Sequence, residues 1–216
     1  MKLETENRFK TNNGGFEKIT IYPPQIGVVR VKVIGDKLLQ NKQTDEVKEK
    51  IASYFNRQES GKCKDPKVIK SKTATLEEIC ELKIHRLENG KPAILAAVFL
   101  RGMADIAYEV FGMTKRTVKL GISIPQDKIE LKYKTWEVHR DMGRTSGIKR
   151  SPIPTIRPIF IDWSCEFEVK FNMKKFTAQD VFNLLNQSGF FIGAGDWRKE
   201  KGGSGAYGTY QAGVAK

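Results

Sequence analysis

The sequence predicts an α+β domain in the order strand–helix–strand–strand–helix–strand, and three features of the 216-residue chain carry that expectation. Residues 26–34 and 163–171 alternate apolar with polar side chains, as half-buried strands do. Residues 93–100 are apolar on every side, which suits a buried helix. Thr177 opens an amphipathic helix, with Asp180 at the capping-box position and Phe176 and Val181 placed as a hydrophobic staple.

The elements follow in order. Residues 1–15 end in Asn12-Asn13-Gly14-Gly15 and read as a flexible lead. The single domain is expected to span 16–216. Phe16–Tyr22 is read as a short strand beside Ile26–Ile34, with Pro23-Pro24 between them. An insertion is placed at about 37–88; its stretch 37–72 holds ten Lys/Arg against five Asp/Glu. Within it, Val47, Ile51, Tyr54 and Phe55 form a helical stripe, 57–74 reads as a loop, and 75–87 fits a helix or a strand.

Pro92 suits a first helical position, and the helix runs to Gly112 with Arg101, Asp105 and Glu109 as its polar stripe. Val118, Leu120, Ile122 and Ile124 alternate as a strand, as do Ile129, Leu131 and Tyr133. The strand at 159–171 either replaces or extends the latter. Residues 139–158 are aperiodic, with five Lys/Arg and one acid, and read as a second basic insertion. Gly189 is expected to stop the last helix before a short strand at 190–194. With either reading of 159–171, the order is βαββαβ, a ferredoxin-like or RNA-recognition-like core.

Charge points to partners. Lys and Arg exceed Asp and Glu by 13, and the hydrophobic fraction of 39% excludes wholesale disorder. A cationic surplus of this size suits a polyanion such as nucleic acid. Cys63, Cys80 and Cys165 match neither a disulfide framework nor a CxxC metal site. Only two histidines are present, His85 and His139, far apart in the chain. No metal or cofactor is therefore expected. The polar N-terminus lacks the apolar run of a secretory signal and no stretch suits a membrane span, so a cytoplasmic home is expected.

The strongest local signal is 192–210, where glycines 193, 195, 202, 203, 205 and 208 mix with Trp197, Arg198, Lys199, Lys201 and Tyr207. Unpaired N–H groups in such a loop can bind phosphate oxygens, cations add charge-assisted bonds, and the rings offer stacking faces. Neither GxxxxGK[ST] nor GxGxxG is matched. The second signal is the 139–158 set: Arg140, Arg144, Lys149, Arg150 and Arg157. The Lys-rich stretch 57–72 is a third.

Arg157-Pro158, Trp163, the helix 177–188 and the run from Gly189 to Gly208 resemble the C-terminal part of an uncharacterised bacteriophage and prophage protein family. Lys64-Asp65-Pro66, Gly90-Lys91-Pro92-Ala93 and Val138–Met142 fall in the order that family shows, so the resemblance spans roughly 25–210. Lys199 departs from the proline frequent there. That family is in turn distantly similar to the RAMP superfamily of CRISPR proteins, whose backbone subunits polymerise along guide RNA. The similarity implies binding of RNA or single-stranded DNA through the glycine-rich loop, at Gly193, Gly195, Gly205 and Gly208.

The expected function is thus non-catalytic binding of single-stranded nucleic acid in a bacterial or phage-infected cell, with self-association along the strand. Two alternatives fit the same residues. One is a metal-independent RNA endonuclease of the RAMP type, with His85 or His139 as base. The other is a phage protein that binds and inhibits a host defence complex.

Overall fold

A computed structural model describes residues 8–10, 16–18, 23–59, 74–144, 152–199 and 207–215. Its centre is an antiparallel sheet. Strand β3 (Ile26–Leu39) pairs with β8 (Pro152–Asn172) from Ile26↔Asn172 to Leu39↔Ile159. On the far side of β3 lies β9 (Gln211–Val214), and on the far side of β8 lies β5 (Ile122–Ser123). The order β5-β8-β3-β9 is antiparallel at each step. The long β8 also pairs with β7 (Thr135–Arg144), forming an arm from Thr135↔Ile161 to Arg144↔Pro152.

One face of the sheet is covered by helices α3 (Ala97–Phe111) and α5 (Ala178–Phe191). Val31 and Val33 meet Phe167 and Val169 on that face, and Phe99, Met103, Leu184 and Leu185 close over them. The other face keeps Ile26, Val28 and Ile34 more than half exposed. The alternation read in 26–34 and 163–171 therefore marks the buried face correctly. The Thr177–Asp180 capping box forms at 3.2 Å, and Gly112 closes α3 in a left-handed conformation, φ 65°.

Several elements differ from the sequence reading. Strand β2 (Phe16–Lys18) pairs with β1 (Arg8–Lys10), inside the expected flexible lead, rather than with 26–34. The rest of that lead lies outside the described residues. The insertion at 37–88 contains helices α1 (Asp45–Glu59) and α2 (Leu76–Leu82); residues 60–73 lie outside the described residues. Thr75 decides the ambiguous 75–87 segment for a helix by capping it reciprocally with Glu78. Ile79 and Cys80 then pack on Ile156 of the arm as a second small core.

Pro92 precedes a strand, not a helix: β4 (Ala93–Leu95) pairs with β6 (Lys128–Glu130), and the buried helix begins after Ala96. Residues 115–121 form helix α4 (Lys115–Gly121), because Thr114 caps it through the Thr117 N–H. The apparent alternation there is accidental, since Val118 is buried and Leu120 is 76% exposed. Helix α5 passes through Gly189 to Phe191, so no strand occupies 190–194. Gly189 instead admits the Tyr210 backbone, whose carbonyl a Cβ would strike. Of the stretch read as a loop at 139–158, residues 139–144 and 152–158 belong to the two strands of the arm, and 145–151 lie outside the described residues.

Candidate functional site

The arm has two faces that do different work. Ile156 points to the α1/α2 side with Ile79 and Cys80. Its cross-strand partner Arg140 lies on that face too and reaches the Tyr54 hydroxyl at 3.4 Å. The next pair, His139↔Arg157, lies on the opposite face. That face receives the glycine-rich segment.

The segment is held close to the end of β3. Gly208 has φ 75°, and a Cβ there would collide with the Ala194 carbonyl. Its N–H donates to the Lys37 carbonyl at 2.7 Å, and its own carbonyl accepts from the Ala194 N–H at 2.7 Å. Gly195, at φ 76°, sits against the Leu39 carbonyl, to which the Asp196 N–H donates at 2.9 Å. The Gly193 N–H is taken by Ser188. The sequence reading assigned these glycines to phosphate contact through free N–H groups. At Gly193 and Gly208 the N–H groups are already donated to the protein, and the glycines serve close packing. Trp197 holds φ 51°, a strained value for a residue with a side chain.

Side chains join the segment to the arm. The His139 Nε2 and the Tyr207 hydroxyl are 3.0 Å apart. Arg157 Nε stands 2.8 Å from Asp196 Oδ2, and its guanidinium lies over the Trp197 ring at 4.9 Å. Among the described residues the Arg157 N–H groups at Nε and Nη1 are not aligned on any acceptor, so the contact with Asp196 is an ion pair rather than a directed hydrogen bond. Asn41 donates to the same Asp196 oxygen at 2.9 Å. Arg198 is buried beside the Gly195 carbonyl, while Lys199 is exposed, its ammonium 4.7 Å from the Phe190 ring centroid.

Burial sets the protonation. Partial burial holds His139 below the ordinary histidine range; Asp141 opposes this and Arg157 adds to it. His85 is lowered by burial, then by Lys42 and Lys128. Lys83 is 3% exposed and donates to the Ile156 carbonyl at 2.6 Å. Burial, with the nearby Arg157 charge, pushes its ammonium down. Burial pushes the Cys80 thiol up to about 12, which leaves it a thiol rather than a nucleophile.

The structure thus brings Gly193, Gly195, Trp197, Arg198 and Tyr207 together with Arg157 and His139. It does not bring Arg140 to the same face. Arg144 ends β7 with its side chain outside the described residues, and Lys149, Arg150, Lys201 and Gly205 lie outside them altogether. His85 lines a small cavity with Asn41 and Asp196, and His139 is not among that cavity's lining residues. Sequence reasoning missed Asn41, Lys83 and Asp196. Asp196 carried a signal: a lone acid between glycines and a cationic run. Lys83, between Leu82 and Ile84, carried a weaker one.

Among the described residues no cluster of His, Cys, Asp or Glu could hold a metal ion, and no helix is long and apolar enough to cross a membrane. No protein-family model matches the chain, and no curated protein matches it either.

Proposed function

We propose that the chain binds single-stranded nucleic acid on the face where the glycine-rich segment meets the β7–β8 arm. The observation that carries this is the joining of two cationic stretches distant in sequence, through His139–Tyr207 at 3.0 Å and Arg157–Trp197 at 4.9 Å. The joint sets aromatic rings beside cations, the combination that single strands favour: rings stack on any base and cations follow the phosphates. Trp197 and Tyr207 are half-buried, neither enclosed in the core. Arg157 positions the loop from beneath, and Lys199 is an exposed cation beside it.

The fold supports the same reading. A strand order β5-β8-β3-β9 with α3 and α5 on one face is what a ferredoxin-like core would present. In this chain the open sheet face carries Ile26, Val28, Arg30, Lys32 and Ile34 on β3, without an aromatic. Base stacking is therefore assigned to the loop rather than to the sheet. Assembly along the strand belongs to the same proposal and would show as cooperative binding.

The test is anisotropy of labelled RNA and DNA oligonucleotides across a salt series. Binding should weaken with a log–log slope of about −0.7 per phosphate neutralised. Trp197→Ala and Lys199→Ala should each weaken it, the lysine change reducing the slope as well. Arg140→Ala separates the arm's two faces, because it removes a cation from the side away from the loop. No anisotropy change with any oligonucleotide at low salt would refute the reading.

A second reading rests on His139 beside Tyr207. A neutral imidazole next to a phenol could serve as base toward a ribose 2′-hydroxyl. Cleavage of RNA but not DNA, lost in His139→Ala with binding kept, would favour this enzyme over a binding protein.

A further inference from the structure

A cavity of about 220 Å³ opens beside the glycine-rich segment, lined by its Gly195 and Asp196. Ile94, Leu95 and Val98 give it an apolar wall, and Asn41, His85 and Asp196 supply its polar groups. It is smaller than the ~300–1,000 Å³ of sites for drug-sized ligands, and suits one flat ring system.

Its polar groups are held rigidly and mostly used. The Asn41 amide donates to Asp196 Oδ2 at 2.9 Å, and its carbonyl oxygen accepts from Gln43 at 2.6 Å. The His85 backbone is clamped between the buried Gln40 side chain at 2.9 Å and the Ala93 N–H at 2.7 Å. Asp196 Oδ2 faces both Asn41 and Arg157, while Oδ1 has no partner among the described residues. That oxygen keeps its acceptor capacity. The His85 ring, lowered by burial and nearby lysines, is neutral at pH 7 and offers one donor and one acceptor.

A ligand matched to this set is a flat apolar ring with an N–H donor on its edge. We propose that the cavity receives one unstacked nucleobase bearing an exocyclic amine, which donates to Asp196 Oδ1 while the ring lies against Val98 and Leu95. Uracil and thymine present a carbonyl oxygen where cytosine presents its amine, and that oxygen would face the carboxylate. This inference rests on the nucleic-acid reading and adds base selectivity to it: the same loop that would hold the strand lines the cavity through Gly195 and Asp196.

Oligocytidine and oligouridine of equal length provide the contrast: where cytosine carries its amine beside an unprotonated N3, uracil carries a carbonyl oxygen beside an N3–H, so only cytosine offers an exocyclic donor. Oligocytidine should bind about tenfold more tightly, the worth of one hydrogen bond to a charged acceptor. Val98→Phe fills the cavity from α3 and leaves every residue of the loop unchanged. It should bring the ratio close to one while the salt slope stays. Equal binding of the two oligomers by the wild type, or a ratio unchanged in Val98→Phe, overturns the proposal. If neither oligomer binds, the strand-binding reading fails, and the cavity is judged by the His85 ring resonances of the wild-type protein. Shifts with cytidine but not uridine support the cavity's assignment; no shift with either overturns it.

Discussion

The side-chain amide of Asn186 and the backbone of Ala212 exchange two hydrogen bonds, 3.0 Å from Nδ2 to the carbonyl and 2.9 Å from the N–H to Oδ1. Ala212 sits on β9, the edge strand, opposite Val33. Its outward peptide groups would otherwise offer a template for another strand. Helix α5 thus supplies one side chain that closes the edge next to the candidate site.

Asn186→Leu should remove both bonds and leave the Ala212 groups to water or to a neighbour. The expected loss is about 1–3 kcal/mol, visible as a lower urea midpoint at unchanged slope. The variant should also self-associate more with concentration, measured by sedimentation. Unchanged midpoint and unchanged sedimentation would show that the amide contributes nothing at this edge.

Gly208→Ala tests whether the glycine-rich segment is packed or loose. The φ of 75° and the collision with the Ala194 carbonyl both oppose a side chain. Destabilisation of about 2 kcal/mol or more is expected. Gly90→Ala is the control: it shares a positive φ, 82°, but its Cβ would meet nothing within 4 Å. Its cost should therefore be smaller, from backbone strain alone. Equal costs would mean that packing at Gly208 adds nothing.

The contrast between these glycines shows where sequence reading stops. Glycine was read as freedom to approach a ligand, and at 208 it permits approach to the protein's own backbone. The 139–158 stretch failed for a related reason. Its aperiodic sequence, which includes Pro152, Pro154 and Pro158, gives no strand signal, but the Pro158 carbonyl accepts from the Gln40 N–H. The prolines' nitrogen side therefore faces away from β7, so none removes a bond from the β7–β8 ladder. Lys83 bonds the Ile156 carbonyl on that same side. By contrast, the faces of 26–34 and 163–171 and the Thr177 cap were legible, because local periodicity and a local hydrogen bond decide them. The meeting of Arg157 with Asp196 depends on contacts 39 residues apart, which no local pattern encodes.

That ion pair gives the third prediction. The Arg157 side chain is 6% exposed and that of Asp196 30%. Asp196→Asn leaves a guanidinium buried without its counter-charge, with Lys83 and Arg198 also buried nearby. The expected cost is about 2 kcal/mol, below the full value for a wholly buried pair because Asp196 is partly solvated. Arg157→Met in the same background should recover part of it, since the stranded charge is then gone. A double mutant no more stable than Asp196→Asn alone would show that the pair is not coupled.

The pH dependence follows from the two histidines. His85 and His139 are both held below the ordinary histidine value, so the folded protein prefers them neutral. Below pH about 6.5 the unfolded chain takes up protons that the folded chain resists. The unfolded state then binds more protons, and stability falls as pH drops through that value toward the folded pKa of each ring. Above it, both states carry neutral rings and this contribution is flat. His139→Gln keeps a hydrogen-bonding group toward Tyr207 but cannot be protonated. Urea midpoints from pH 7.5 to 5 should therefore decline less steeply in His139→Gln than in the wild type, with His85 supplying what slope remains. Superimposable slopes in the two proteins would show that protonating His139 costs the fold nothing.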